Sequence, residues 1–261
     1  MAVKQTKKLN DSSVTDVTTV NSTDRILMKD SNGKLIPISL ANLRNALNEG
    51  VSPNAQMDGI FIMYHRKSDD FPLMVKPHKW TSIQSSGEIA DGVVVVEGGK
   101  CLVVAPTESA SKLTWSSAAI SGGGTTTSDR VTAINDWNGK TNTAQQIAHS
   151  TSSAVTNTAS YAPGFCNLYS RANANGKGLT AGKWWLPSLG EMMMIYANMT
   201  KINYALSLIN GATQLVEDAY WTSTEYSATT AWRLLLGYGN ANDTTKASRA
   251  YRVRAVSAFI A

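Results

Sequence analysis

The sequence is poor in the residues from which metal centres and thiol chemistry are built. Its 261 residues include 3 histidines, His65, His78 and His149, and 2 cysteines, Cys101 and Cys166. The histidines lie far apart in the chain, and none has another His or Cys at a metal-ligand spacing. Two cysteines cannot form a disulfide-dense scaffold, so we expect two reduced, partly buried thiols and folding in a cytosol. We predict no metal site and no cofactor.

Long apolar runs are missing as well, and charge of either sign is sparse. Charged residues make up 16% of the chain and hydrophobic residues 43%, which is enough to bury a sizeable core. No stretch approaches the ~20 apolar residues of a membrane helix, and the N-terminus has no apolar secretory segment. The net charge of +5 comes from scattered Lys and Arg rather than from a basic stripe. We therefore expect no membrane insertion and no nucleic-acid partner.

Motifs of nucleophilic and phosphate chemistry are absent from the sequence. There is no G-x-S-x-G run, and the glycines at 122–124 are not followed by the Lys-Ser/Thr ending of a phosphate loop. The acidic pairs Asp69-Asp70 and Glu217-Asp218 are adjacent in sequence, whereas a glycosidase needs two carboxylates opposed across a sugar ring. We predict that the chain is not an enzyme and has no catalytic residues. An enzyme that trims a surface glycan is the alternative.

Residues 1–50 have the composition of a separate attachment segment. After a polar stretch rich in Ser, Thr and Asp, two apolar-rich runs, Arg25–Lys29 and Leu35–Ser39, flank an Asn-Gly pair, which is typical of a β-hairpin. A helical stripe follows, formed by Leu40, Leu43 and Leu47. A hairpin and a short helix cannot support their own core, so we expect docking on copies of the same segment. An N-terminal subdomain packed on the main body is the alternative. We place a linker at residues 51–58 and the main domain at 59–261.

The first half of the main domain is predicted to be rich in strands. It opens with a strand at Gly59–His65. Asp91–Glu97 and Cys101–Ala105 flank Gly98-Gly99, which predicts a hairpin, and the run of four valines predicts a strand buried on both faces. Three further elements are a strand at Leu113–Ala119 and short helices at Asp129–Trp137 and Thr143–His149.

The clearest helix signal in the chain begins at Ser188. Glu191 follows three residues later, so the two form a capping box at the start of an apolar helix face. A second helix, Ile202–Ile209, ends before Asn210-Gly211. Just upstream, Trp184-Trp185 are neighbours, so one ring faces the core and the other points outward or into a second layer. Strands before and after these helices predict the α+β class with a mainly antiparallel sheet.

The C-terminal region contains anchoring residues that are typical of a packed core, and the residues between them share no common chemical type. The anchors, which we call the C-terminal frame, are aromatic, β-branched and basic: Tyr220–Glu225, Ala231-Trp232, Tyr251–Arg254, Val256 and Phe259. Between Ala231 and Leu236, alternation puts Trp232, Leu234 and Leu236 on one strand face and Arg233 and Leu235 on the other. The apolar set must fill a core, and the opposite face is available to a ligand.

The residues between the anchors follow no single chemistry, and we predict that they bind the ligand. They are Thr229, Thr230, Arg233, Leu235, Tyr238, Asn240, Asn242, Asp243, Thr244 and Arg249, and we add the frame residue Tyr251 to the predicted ligand-binding set. This mixture of aromatic, amide, hydroxyl and guanidinium groups is typical of adaptable binding surfaces.

Several motifs together resemble a bacterial and phage C-type-lectin-like domain. They are GKWWLPSLGEMMMIY at 182–196, YWTSTE at 220–225, Ala231-Trp232, Lys246, and RVRAVSAF at 252–259. In that family a W-x-L-P-[ST]-x-x-E run opens a helix, a W-[ST]-S-T-E run forms a core strand, and an R-V-R-x-V-x-x-F ending closes the sheet. The resemblance covers residues 160–261 well and those from Gly59 more loosely, and it implies a C-type-lectin-like fold. The calcium-ligating triplets of animal C-type lectins are missing, so calcium-dependent sugar binding is not implied.

The same resemblance extends to the variable proteins of diversity-generating retroelements. In those proteins adenine-directed mutagenesis substitutes chosen C-terminal codons while the fold persists. It implies a variable region at about residues 220–251. Asn240 and Asn242 then look like unmutated positions. The residues that look like products of substitution are Arg233, Tyr238, Asp243, Arg249 and Tyr251.

The N-terminal segment is similar to attachment segments of phage tail-fibre and head-fibre proteins, which often trimerise. Together the two resemblances imply a phage receptor-binding protein, made in the host cytoplasm and acting on the virion outside the cell. Its expected partners are other virion proteins through residues 1–50, further copies in a homotrimer, and a host cell-surface protein or glycan. The alternatives are a structural virion fibre or decoration protein without host binding, and a bacterial surface adhesin.

Overall fold

The computed structural model of the chain describes residues 25–29, 33–39, 58–151 and 155–259. The chain divides into two compact units, Met1–Ser52 and Pro53–Ala261. None of the helices in these ranges is long and apolar enough to span a membrane.

The first unit contains the predicted hairpin. Strands β1 (Arg25–Lys29) and β2 (Leu35–Ser39) pair antiparallel, with Arg25 opposite Ser39 and Lys29 opposite Leu35. This register confirms the hairpin expected from the Asn-Gly turn signal. The predicted helical stripe from Leu40 to Leu47 and the predicted linker from Val51 to Met57 lie outside the described residues.

The second unit is built on a five-stranded antiparallel sheet. Its strands are β3 (Gly59–His65), β4 (Pro72–Val75), β5 (Ala90–Glu97), β6 (Lys100–Val104) and β14 (Val256–Ser257), in the order β14-β6-β5-β3-β4. The predicted strand and the predicted valine hairpin are both confirmed. The β5–β6 turn uses Gly98 and Gly99 at φ values of 55° and 75°, a conformation that glycine adopts without a steric penalty.

Two apolar layers cover the two faces of this sheet, and the central strand β5 contributes to both. Val93 and Val95 lie in one layer and Val94 and Val96 in the other, each no more than 2% exposed. Burying one such side chain contributes about 1.5–3 kcal/mol. The adjacent tryptophans divide in the same way, since Trp184 packs in the second layer and Trp185 in the first. The prediction that the second ring enters another layer is therefore confirmed.

Six α-helices are described in the second unit. They are α1 (Trp80–Ser85), α2 (Arg130–Ile134), α3 (Gly139–Ala148), α4 (Ala162–Leu168), α5 (Leu189–Ala197) and α6 (Met199–Ser207). The capping box at α5 is present, because the Ser188 side chain accepts from the Glu191 N–H and the Glu191 carboxylate accepts from the Ser188 N–H. Sequence patterns located α2, α3, α5 and α6 with shifted ends.

The predicted strand at Leu113–Ala119 is mostly wrong. Only β7 (Leu113–Thr114) is a strand, paired with β13 (Ala250–Tyr251). The chain leaves the ladder at Trp115, whose N–H donates to the carbonyl of Lys246 and whose indole N–H donates to the carbonyl of Thr222. The apolar residues that suggested a strand therefore anchor a loop.

A separate three-stranded antiparallel sheet carries seven of the eleven predicted ligand-binding residues. Its strands are β10 (Ala219–Glu225), β11 (Thr230–Leu235) and β12 (Asn240–Thr245), with β11 in the centre and β12 at an edge. A two-residue ladder joins β8 (Arg171–Ala172) to β9 (Gly178–Leu179). Antiparallel sheets with helices between them confirm the α+β class.

Candidate functional site

On the inner face of the three-stranded sheet, the apolar side chains of β11 and of the residue after it lie in the core. Trp232, Leu234 and Leu236 are 3%, 0% and 2% exposed. Leu234 lies opposite Tyr220 on β10 and Ala241 on β12, and all five residues belong to one apolar cluster. The period-2 prediction for this strand is therefore confirmed.

The opposite face of the same strands carries five of the eleven predicted ligand-binding residues. The register places Arg233 beside Asn242, Leu235 beside Asn240, and Ala231 beside Thr244. Asn240 is exposed, and the other predicted residues on this face are half-buried. We call the outer face the set formed by Arg233, Leu235, Asn240, Asn242, Thr244 and Tyr251.

Tyr251 joins the outer face through its ring. The ring contacts Trp221 edge-on, with centroids 5.0 Å apart, and the Arg233 guanidinium carbon lies 5.0 Å from the Tyr251 centroid. Trp221 is fully buried and lies opposite Arg233 on β10. The outer face is therefore closed on its β10 side and open over β11 and β12.

The remaining predicted residues lie around this face or away from it. Tyr238, in the β11–β12 turn, is 83% exposed, and Arg249 is exposed in the loop after β12. Thr229 precedes β11 and Thr230 begins it, and their hydroxyls are 3.3 and 2.9 Å from the Ser227 hydroxyl. Asp243 pairs with Trp232, so it belongs to the opposite side of β12. Adjacent strand residues alternate, so Asp243 and Asn242 lie on opposite sides of β12, and the ligand-binding role of Asp243 stays a prediction.

The turn that carries Tyr238 rests on a residue that the sequence did not assign to the site. A Cβ on Gly239 would lie 2.6 Å from the Tyr196 ring, and Gly239 has a φ of 64°. Both facts require glycine at this position. The sequence showed Tyr196 only as part of the apolar face of a helix.

A buried ion pair fixes the strand ends beneath the site. Lys246 and Glu225 are both 0% exposed, and the Lys246 Nζ contacts the Glu225 carboxylate. The same ammonium lies 2.7–3.1 Å from three backbone carbonyls, those of Ile120, Ser227 and Ala228. Burial lowers the pKa of Lys246, against the effect of Glu225. This pair connects the ends of β10 and β12 without using the outer face.

The Glu225 carboxylate also organises the glycine-rich loop. It accepts from the N–H groups of Gly122 and Gly124 at 2.8 and 3.1 Å. The loop continues to Thr125 and Thr127, which exchange backbone hydrogen bonds with Glu225. Two amides and one ammonium converge on this carboxylate, so the loop and the strand form one unit.

The two arginines of the RVR segment, Arg252 and Arg254, form a second network of ion pairs and hydrogen bonds. The Arg252 side chain binds Asp218, with 3.0 Å between Nε and Oδ2, and also binds Glu108. Arg254 is fully buried and donates to the carbonyls of Ala105 and Thr213 at 3.1 and 3.0 Å. Burial and the Glu108 charge raise the pKa of Tyr220, which donates to Glu108, to about 12. These arginines support the sheet and do not belong to the outer face.

Glu191 is the carboxyl group whose environment most resembles that of a catalytic acid. Burial raises the pKa of Glu191 to about 7, and the Asp136 charge acts in the same direction, whereas the hydrogen bonds from Ser188 and Trp185 oppose the rise. Its Oε2 accepts from the Ser188 N–H and the Trp185 indole N–H at 2.8 and 3.1 Å. A Cβ on Gly139 would lie only 2.1 Å from this carboxylate, so no substrate can reach it from that side. The residue closes a helix end in the core.

Other titratable groups singled out in the sequence have structural partners. Asp69 pairs with Arg66, and Asp218 is 2.9 Å from Lys112 as well as bound by Arg252. The His65 Nδ1 lies 2.7 Å from Asp91 in a buried pair, and the His149 Nδ1 is 3.1 Å from the Gly122 carbonyl. Across the described ranges, no group of three His, Cys, Asp or Glu residues has a geometry that could hold a metal ion.

Comparison with known proteins gives no family for this chain. No protein-family model matches the chain, and no curated protein matches it. One solved structure with detectable similarity is the crystal structure of a fimbrial protein from Bacteroides ovatus ATCC 8483. Its sequence is 12% identical, and the alignment covers 92% of this chain and 49% of that one, with a TM-score of 0.33. The chain thus spans about half the length of that protein, and a TM-score this low does not establish a shared fold.

Proposed function

We propose that this chain is a receptor-binding protein that recognises a host cell surface through the outer face. The observation that carries the proposal is that the apolar side chains on the inner face of the three-stranded sheet are buried, while polar side chains around the outer face have no hydrogen-bond partner in the described part of the chain. Within the described ranges, the side chains of Arg233, Tyr238, Asn240, Asn242 and Thr244 make no hydrogen bond or ion pair with the rest of the chain. Polar side chains that are spared structural roles on a rigid sheet are available to a partner.

The C-type-lectin-like fold is part of this proposal. Its support is that the motifs carrying the resemblance occupy structural positions. The W-L-P-S-x-x-E run opens α5 with a capping box, the YWTSTE run is a buried strand, and the RVR segment binds buried acceptors. Fixing the backbone through these groups leaves the side chains of the outer face free to differ. We therefore also propose that the outer face is the target of a diversity-generating retroelement, which sequencing of its coding region in the source population would test.

The first unit is proposed to attach the protein to a virion and to trimerise. An isolated two-stranded hairpin such as β1–β2 is marginal in water, so it requires packing partners. Copies held together on one particle would present several outer faces at once. Avidity then exceeds the affinity of one site by ~10²–10⁴ without any new contact.

The test is adsorption of the labelled full chain to cells of the source community. Replacing Arg233 and Tyr238 by alanine removes one cation and one exposed ring, so we expect adsorption to fall at least about tenfold. The matched control replaces Lys177 and Leu168, which are exposed on other elements, and keeps adsorption unchanged. Equal adsorption of both variants and the parent chain would refute the proposal and favour a structural virion protein.

A further inference from the structure

Arg233 is a cation without an acceptor. Its Nε is buried and has no hydrogen-bond partner, and within the described ranges no carboxylate pairs with its guanidinium. By contrast, Arg252 binds Asp218 and Glu108, and Arg254 donates to backbone carbonyls. Leaving this buried Nε–H unpaired costs free energy, because it forgoes the hydrogen bond that it makes with water in the unfolded chain. Arg233 is thus the outer-face residue that would gain most from a hydrogen-bond acceptor on a ligand.

The surroundings hold the guanidinium in place but do not neutralise it. Tyr251 lies under it at 5.0 Å, and that ring is itself held edge-on by Trp221. The side chain therefore loses little further freedom when a ligand binds. Asn242, directly across the β11–β12 ladder, adds a half-buried amide with no hydrogen-bond partner of its own in the described structure.

No acidic side chain of this sheet is available to compensate the charge. Glu225 is bound to Lys246, Asp218 is bound to Arg252, and Asp243 belongs to the opposite side of β12. Arg249, exposed in the loop after β12, is another positive charge of this C-terminal region. The outer face therefore has an uncompensated positive charge.

We propose that the outer face binds an acidic protein surface and that Arg233 receives an Asp or Glu carboxylate of that partner. This inference rests on the proposed function and names the ligand class of the same site. The guanidinium offers parallel N–H donors that match two carboxylate oxygens, and Asn242 supplies a further amide donor. Leu235 and Tyr238 add apolar contact beside the charge, a combination typical of the central contacts of protein interfaces.

The packing of the Tyr251 ring favours a protein partner over an acidic polysaccharide. Sugar rings are commonly bound by stacking on an exposed aromatic face, but Tyr251, which lies against the guanidinium, is covered by Arg233 on one side and contacts Trp221 on another. The exposed ring of Tyr238 lies in the β11–β12 turn and not on the strands of the outer face. The face is also an open sheet surface, which suits a protein surface better than a single sugar residue. An acidic glycan is consequently the competing outcome of the test.

The test measures binding of the full chain to fluorescent decaglutamate, with decaglutamine and decagalacturonate as comparison probes. We expect decaglutamate to bind more tightly than decagalacturonate, and expect its affinity to weaken as NaCl screens the charge pair. R233Q lowers decaglutamate affinity about tenfold, and R233K, which keeps the charge but loses the fork, lowers it about threefold. K177Q removes the same charge from an exposed site on another element and leaves the affinity unchanged.

Equal effects of R233Q and K177Q would overturn the inference, because binding would then follow net charge alone. Decagalacturonate binding tighter than decaglutamate binding would also overturn it, in favour of an acidic glycan. Failure here is distinguishable from failure of the proposed function. Cell adsorption could depend on Arg233 and Tyr238 while R233Q leaves the decaglutamate affinity unchanged. That result would support the receptor role and refute the acidic-protein ligand.

Discussion

On the inner face of the three-stranded sheet, Trp232, Leu234 and Leu236 are at most 3% exposed and pack against two other strands. On the outer face of the same strand, Arg233 and Leu235 are half-buried, and Arg233 makes no ion pair with the described part of the chain. Alternation of side chains thus gives one strand a buried side and a partly open side at no cost to the backbone. The inner face and the buried ion pairs stabilise the sheet, and the proposed function assigns recognition to the outer face.

The largest expected effect comes from breaking the buried pair that supports the sheet. Replacing Lys246 by alanine leaves the Glu225 charge buried with only two amide donors, Gly122 and Gly124. We expect the free energy of unfolding to fall by about 3–5 kcal/mol, as measured by urea denaturation.

A matched double variant sharpens this prediction. With Lys246→Met and Glu225→Gln together, no charge remains buried, and the glutamine carbonyl can still accept from one of the amides. We expect the double variant to recover at least half of the lost stability, because desolvation of the two ions is also removed. A double variant less stable than either single variant would contradict this view of the pair.

The next effect in size concerns pH and Glu191. Its folded pKa of about 7 exceeds the unfolded value of 4.5, so the folded state binds more protons between these values. The free energy of unfolding therefore falls as pH rises from about 4.5 to above 7, by up to about 3 kcal/mol from this group. Asp91, whose pKa is raised mainly by burial, contributes with the same sign.

Glu191→Gln isolates the contribution of this group. The amide keeps an acceptor for the Ser188 N–H and the Trp185 indole but cannot ionise. Chemical denaturation at pH 5 and pH 8 should show a smaller loss of stability in the variant than in the parent chain. Identical losses in the two proteins would show that Glu191 titrates normally.

Local sequence patterns predicted the elements whose burial depends on their own residues. The valine run of β5, the capping box of α5 and the alternation in β11 follow from one-sided or two-sided burial of a short segment. Elements stabilised by distant partners were missed. The strand β4 and the helix α1 carried no clear signal, and the segment after Leu113 lost its predicted strand because Trp115 bonds to Lys246 and Thr222.

The candidate site was predictable in composition and only partly in geometry. The sequence identified the mixed residues between the anchors, and alternation placed Arg233 and Leu235 together. Which β12 residues lie on the outer face depends on the register between β11 and β12. The turn from Leu236 to Gly239 sets this register, in which Leu235 pairs with Asn240. That register moves Asp243 off the outer face. The link between Glu225 and Lys246 spans 21 residues and could not be inferred from spacing.

The most direct measurement compares the tolerance of the two faces to substitution in a displayed library of the full chain. Arg233, Leu235, Asn240 and Asn242 are randomised in one pool, and Trp232, Leu234 and Leu236 in a second, and both are sorted for protease resistance. We expect most outer-face variants to keep the parent resistance within about 0.5 kcal/mol and to lose cell adsorption, and most inner-face variants to unfold. Outer-face variants that unfold as often as inner-face variants would contradict the separation of stability from recognition.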